Sequence, residues 1–176
     1  MSKNEKIIPI ALIITKSQWW SKAVLSQIKR IEQNMYSKVY LEQVQRLADD
    51  HFLKISLKQL LNWIVELNKY VNETQKYINK FNSLFDIKLL RDVSEHELDY
   101  YKNIGNKQNK FINTDHNQSL LRCLIIDDVY YIGGKINMNE LKNIVEELDL
   151  LLENNKFTYK IETIEVLNEL IKETIV

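Results

Sequence analysis

Ser56-Leu57-Lys58-Gln59-Leu60-Leu61-Asn62-Trp63-Ile64-Val65-Glu66-Leu67, with Val71, Ile78 and Phe81 beyond it, is the stretch that sets the fold class. Leu57, Leu60, Leu61, Ile64, Leu67, Val71, Ile78 and Phe81 follow three-four spacing, which lines them along one face of an amphipathic helix. Ser56 stands where an N-cap would be. Upstream, Ile13, Trp20, Val24, Ile28, Ile31, Met35 and Val39 recur near helical spacing, predicting one long helix over about 10–40, or two joined near Ser17. The pattern continues through Val44 and Leu47, after which Asp49, Asp50 and His51 read as a polar break that ends a helix.

Downstream, Asp86 is placed to cap a helix in which Leu89, Val93, His96 and Tyr100 share a stripe, and Asn103-Ile104-Gly105 closes it. Residues 103–119 are rich in Asn, Lys and Gln and read as a loop. Two β-rich runs, Leu120 to Ile126 and Val129 to Ile132, flank Asp127-Asp128 and precede Gly133-Gly134, which predicts a β-hairpin near 120–132. Asn137 with Glu140 resembles a capping box, opening a helix through Leu141, Ile144, Val145, Leu148, Leu151 and Leu152. A last amphipathic helix is expected over about 160–175. The expected architecture is an all-α, multi-helix bundle with one small hairpin, forming a single helical domain over 1–176.

Composition agrees. Among 176 residues there are only 3 Gly and 1 Pro, the two residues that interrupt helices, while 45% are hydrophobic and 27% charged, as in globular chains. Lys plus Arg equals Asp plus Glu at 24 each, so no global basic field draws nucleic acid or anionic membrane, and any such contact must be local. The single cysteine, Cys123, excludes an internal disulfide framework and a multi-thiolate zinc site; within its apolar run it reads as an inert core thiol. The apolar run Ile7 to Ile14 is too short to span a bilayer, and no small-residue cleavage site follows it, so a cytoplasmic protein with no membrane contact is expected.

Chemistry concentrates in Leu89-Leu90-Arg91-Asp92-Val93-Ser94-Glu95-His96-Glu97-Leu98-Asp99-Tyr100-Tyr101. On one helix Asp92 and His96, four apart, nearly superpose, so the carboxylate is placed to accept from the imidazole and fix its tautomer. Arg91 and His96 diverge by about 140° and meet only through the long Arg side chain or across a dimer interface. Arg91 and Glu95 make an ordinary i,i+4 pair.

An arginine, a polar residue and, after three more, a histidine resembles the motif of the HEPN superfamily, small all-α domains of bacterial toxins and phage-defence proteins. The string from Leu90 to Tyr100, followed by the hairpin, Gly133-Gly134 and the Asn137 to Leu152 helix, is also similar to a group of short bacterial proteins, so the resemblance covers about 40–152. It implies metal-independent endoribonuclease activity at a symmetric homodimer interface: His96 as general acid or base on the 2′-OH or the leaving oxygen, Arg91 on the scissile phosphate, and Asp92 orienting His96. No metal or cofactor is implied. The alternative is a non-catalytic binding or dimerisation module, an antitoxin, immunity or regulatory subunit with a cognate protein partner.

Other features are weaker. Arg46 to His51 repeats the spacing but carries Leu47 where the motif has a polar residue. Lys102, Lys107 and Lys110, with Phe111, form a short basic stretch that is the best local candidate for RNA binding. Asp115 with His116 is too sparse for a metal set, and Asp127-Asp128 suits a hairpin turn. The absence of P-loop, dinucleotide and nucleophile-elbow motifs disfavours those chemistries.

Overall fold

A computed structural model describes residues 8–110, 112–113, 118–119 and 123–154. It is a mostly helical bundle with a small three-stranded sheet. Helix α1, Ile10–Asn34, is unbroken. Ser17 does not divide it, because its hydroxyl donates back to the Ile13 carbonyl at 2.8 Å and so finds its partner inside the helix. Residues 35–39 turn the chain back, and α2, Tyr40–Leu67, packs along α1.

Two expectations about this region are corrected. Asp49 and Asp50 are no break: α2 runs through them, and both are buried. Each has found a cation, Asp49 from Arg30 of α1 at 2.8 Å and Asp50 from Lys54 one turn on at 2.6 Å. Ser56 accordingly lies in the helix interior and caps nothing. The helix also stops earlier than the apolar spacing suggested. Asn68 accepts from the Thr74 hydroxyl at 3.0 Å and donates to Gln75 at 2.8 Å, while Thr74 also donates to the Val71 carbonyl. These local side-chain bonds compete with the helix ladder, so a 3-10 turn at Asn72–Thr74 separates α2 from α3, Gln75–Leu84.

Helix α4, Ile87–Glu95, opens as expected, with the Asp86 carboxylate accepting from the Leu89 N–H at 2.9 Å. Its continuation is not one helix: the chain breaks at His96 and resumes as α5, Glu97–Tyr101. Beyond a 3-10 turn at Gln108–Lys110, β1, Ile112–Asn113, pairs antiparallel with β2, Gln118–Ser119.

The hairpin appears as β3, Leu124–Ile126, and β4, Val129–Ile132, with residues 120–122 outside the described residues. Asp127 and Asp128 both take positive φ, 49° and 62°, the backbone that a two-residue turn matched to strand twist requires. Gly133 and Gly134 take positive φ too and reverse the chain again into β5, Ile136–Asn137, a third strand the sequence pattern did not suggest. Tyr130 and Ile132 point from β4 into the core, whereas the positions between them are only half-buried. Helix α6, Met138–Asn154, returns along α1 and α3, tied by Lys142 to Glu32 at 2.9 Å and by the Ser21 hydroxyl to Asp149 at 2.5 Å. The expected helix over 160–175 and the Asp115-His116 pair lie outside the described residues. Among the described residues no helix is long and apolar enough to cross a membrane.

The Asn137 side chain accepts from the N–H groups of Asn139 at 2.9 Å and Glu140 at 3.2 Å, which satisfies otherwise orphaned donors at the start of α6. Asn137→Ala is expected to lower unfolding stability by about 1 kcal/mol, read as an earlier urea midpoint with an unchanged slope.

Candidate functional site

The break at His96 decides the geometry of the motif. His96 ends α4 with φ −114° and ψ 34°, so its side chain leaves the helical register that would have stacked it on Asp92. The Asp92 carboxylate instead accepts from the Tyr100 hydroxyl at 2.8 Å. The expected Asp92–His96 contact is therefore replaced by an Asp92–Tyr100 one. Burial and that bond push the Tyr100 phenol up to about 12. A Cβ at Gly105 would fall 2.6 Å from the Tyr100 ring, so only glycine lets the following turn close over it. Tyr100 thus folds α5 back onto α4.

Arg91 and His96 both remain reachable, with side-chain exposures of 38% and 54%. Arg91 pairs with Glu95, as its spacing predicts. The carboxylate nearest the His96 ring is Asp99, 3.7 Å from Nδ1, an ion-pair separation when the ring is protonated. Lys58 of α2 is lowered from the ordinary lysine value by partial burial, then by Lys88 and Arg91 of α4, while Asp86 works in the opposite direction. Lys58 donates to Asn62 at 2.7 Å.

The three lysines of the basic stretch do not converge equally. Lys102 is exposed in the turn after α5, Lys107 reaches Asp86 at 3.4 Å, and Lys110 closes the 3-10 turn. The second arginine–histidine match serves the scaffold: Arg46 donates to the Asn34 and Met35 carbonyls at the end of α1, and His51 stacks edge-to-face on Phe52.

A cluster that spacing did not announce lies beneath the hairpin. Asp50 and Lys54, both almost fully buried, pair at 2.6 Å, the Tyr130 hydroxyl donates to Asp50 at 3.4 Å, and the Cys123 thiol comes within hydrogen-bonding reach of both Asp50 and Tyr130. Burial pulls the Lys54 ammonium down, but Asp50, Cys123 and Glu97 outweigh it, and the net direction is up. Burial and the Asp50 carboxylate hold the Tyr130 phenol above its usual range. The i,i+4 spacing of Asp50 and Lys54 was the available signal; that they face inward depends on partners from distant elements. Among the described residues no group of three or more His, Cys, Asp or Glu side chains could hold a metal ion.

No family model, curated protein or solved structure matches the chain.

Burial, with Asp50 beside it, pushes the Cys123 thiol from 9.0 up to about 12. At about pH 8.5 the folded chain should alkylate about a thousandfold more slowly than the urea-unfolded chain, as followed by mass spectrometry. The same shift makes the unfolded thiol ionise first, so stability should fall as pH rises from 9.0 towards about 12. Equal alkylation rates would contradict the protonated thiol.

Proposed function

We propose that the chain is a HEPN-like helical module that binds single-stranded RNA at Arg91, Lys88 and Lys58 and cuts it with His96. The observation that carries this reading is that Lys58 of α2 lies within electrostatic reach of Lys88 and Arg91 of α4, with Asp86 and Glu95 offsetting part of their charge, while the exposed imidazole stands in the turn that ends α4, so a phosphodiester would meet cations and an imidazole on adjoining elements. Arg91 suits the non-bridging phosphate oxygens, because its planar fork is permanently charged. The 2′-oxygen attacks phosphorus and the 5′-oxygen leaves, giving a 2′,3′-cyclic phosphate and a 5′-hydroxyl. His96 either removes the 2′-OH proton or supplies one to the leaving oxygen, and water serves the other transfer. Asp92 acts one step away, by holding Tyr100 and so the angle between α4 and α5. Lys102, Lys107 and Lys110 follow α5 and would track the flanking backbone.

A second reading, a binding module without catalysis, is favoured by the ion pair that ties Arg91 to Glu95. An end-labelled RNA separates the two. With chelator present the chain should cut RNA, leave a 2′-deoxy analogue intact, and lose at least about a hundredfold in rate on His96→Ala. Absence of cutting, or equal cutting by wild type and variant, removes the nuclease reading; RNA retention that weakens on Lys58→Gln and Lys88→Gln would then leave the module as a binder.

A further inference from the structure

Between α2 and α3 the surface opens into a cavity of about 400 Å³, within the size range of small-molecule sites. The buried Leu61 of α2 and Ile78 of α3 form its floor, and its rim is polar: Lys58, Asn62 and Glu66 from α2, Asn82 from α3. Residues 58, 62 and 66 recur at four-residue spacing, so one side of α2 presents all three in order. Lys58 and Glu66 stand about 12 Å apart along the helix axis, which makes the cavity cationic at one end and anionic at the other. Lys58 also lies within electrostatic reach of Lys88 and Arg91 of α4, so the cationic end adjoins the proposed phosphate site.

We infer that this cavity takes a guanine base whose phosphate lies against Lys58 and the cations of α4. The assignment rests on the proposed function for the place of the phosphate and goes beyond it in naming the base. Leu61 and Ile78 supply an apolar surface on which a planar base lies. Guanine carries a ring N–H and an amino group side by side, both donors, and the Glu66 carboxylate is a fork of two acceptors that matches them. Lys69 donates to Oε2 of Glu66 at 2.6 Å, but each carboxylate oxygen accepts more than once, so the fork stays open to the base. The carbonyl beside the guanine N–H accepts from an amide NH2 group, which Asn82 supplies from the α3 side. Asn62 has its own oxygen engaged by Lys58 at 2.7 Å and so offers its NH2 group from the α2 side.

The other bases fit less well. Adenine and cytosine turn a ring lone pair toward the carboxylate, and uracil flanks its single N–H with two carbonyls, so each meets repulsion where guanine donates.

Isothermal titration calorimetry of the full chain with guanosine, adenosine, cytidine and uridine 5′-monophosphates is the test. Guanosine monophosphate should bind at least about tenfold more tightly than the others. Glu66→Gln, which keeps the shape but turns one acceptor into a donor, should remove that preference with unchanged circular dichroism, since the side chain is partly exposed. Lys58→Gln should weaken all four nucleotides alike. Titration involves no cleavage, so a chain that leaves RNA uncut but keeps the preference loses the nuclease reading alone, and this inference stands. No binding, equal affinity for the four, or a preference that survives Glu66→Gln overturns it, whether or not RNA is cut.

Discussion

The ion pair between Asp50 and Lys54 organises the molecule. Withdrawing two charges from water costs several kcal/mol per ion, so the pair persists only where its remaining bonding capacity is met. The groups that meet it come from across the chain: Tyr130 from β4 and Cys123 just before β3. The hairpin is thereby held over α2 by a specific polar contact as well as by apolar packing. Breaking one partner leaves a buried charge uncompensated, which is why these residues constrain the register of α2 against both its neighbours.

Much of the fold was legible where local rules and tertiary packing agree. The three-four spacing from Leu57 to Leu67, the caps at Asp86 and Asn137, and the two-residue turn at Asp127-Asp128 each carry a local reason that the structure bears out. Reading failed where distant partners override local chemistry. Asp49-Asp50 resembles a solvated break until Arg30 and Lys54 are seen to neutralise it. Val71, Ile78 and Phe81 extend the helical stripe on paper, but Asn68 and Thr74 divert the backbone between them. Strand β5 has two residues, too few for any alternation to register.

The motif helix shows the same division. Arg91 and Glu95 pair as their spacing predicts, because α4 holds its register through Glu95. His96 does not join Asp92, because Tyr100 and Gly105 fold α5 back and take Asp92 for the scaffold. Lys88 precedes Arg91 by three residues on α4, whereas Lys58, thirty residues before Lys88 on α2, is brought near them only by the fold. The proposed chemistry thus rests on His96 and Arg91, with the Asp92–Tyr100 hydrogen bond shaping the platform beneath them.

The claim that a buried ion pair sets the orientation of α2 is tested most directly by a double-mutant cycle on Asp50→Asn and Lys54→Met, with unfolding free energies from urea titration. Each single change should cost about 3–5 kcal/mol, and the double variant should recover about 2 kcal/mol or more of their sum. Additivity of the two changes to within about 0.5 kcal/mol would show that the two side chains do not hold one another and would contradict the account.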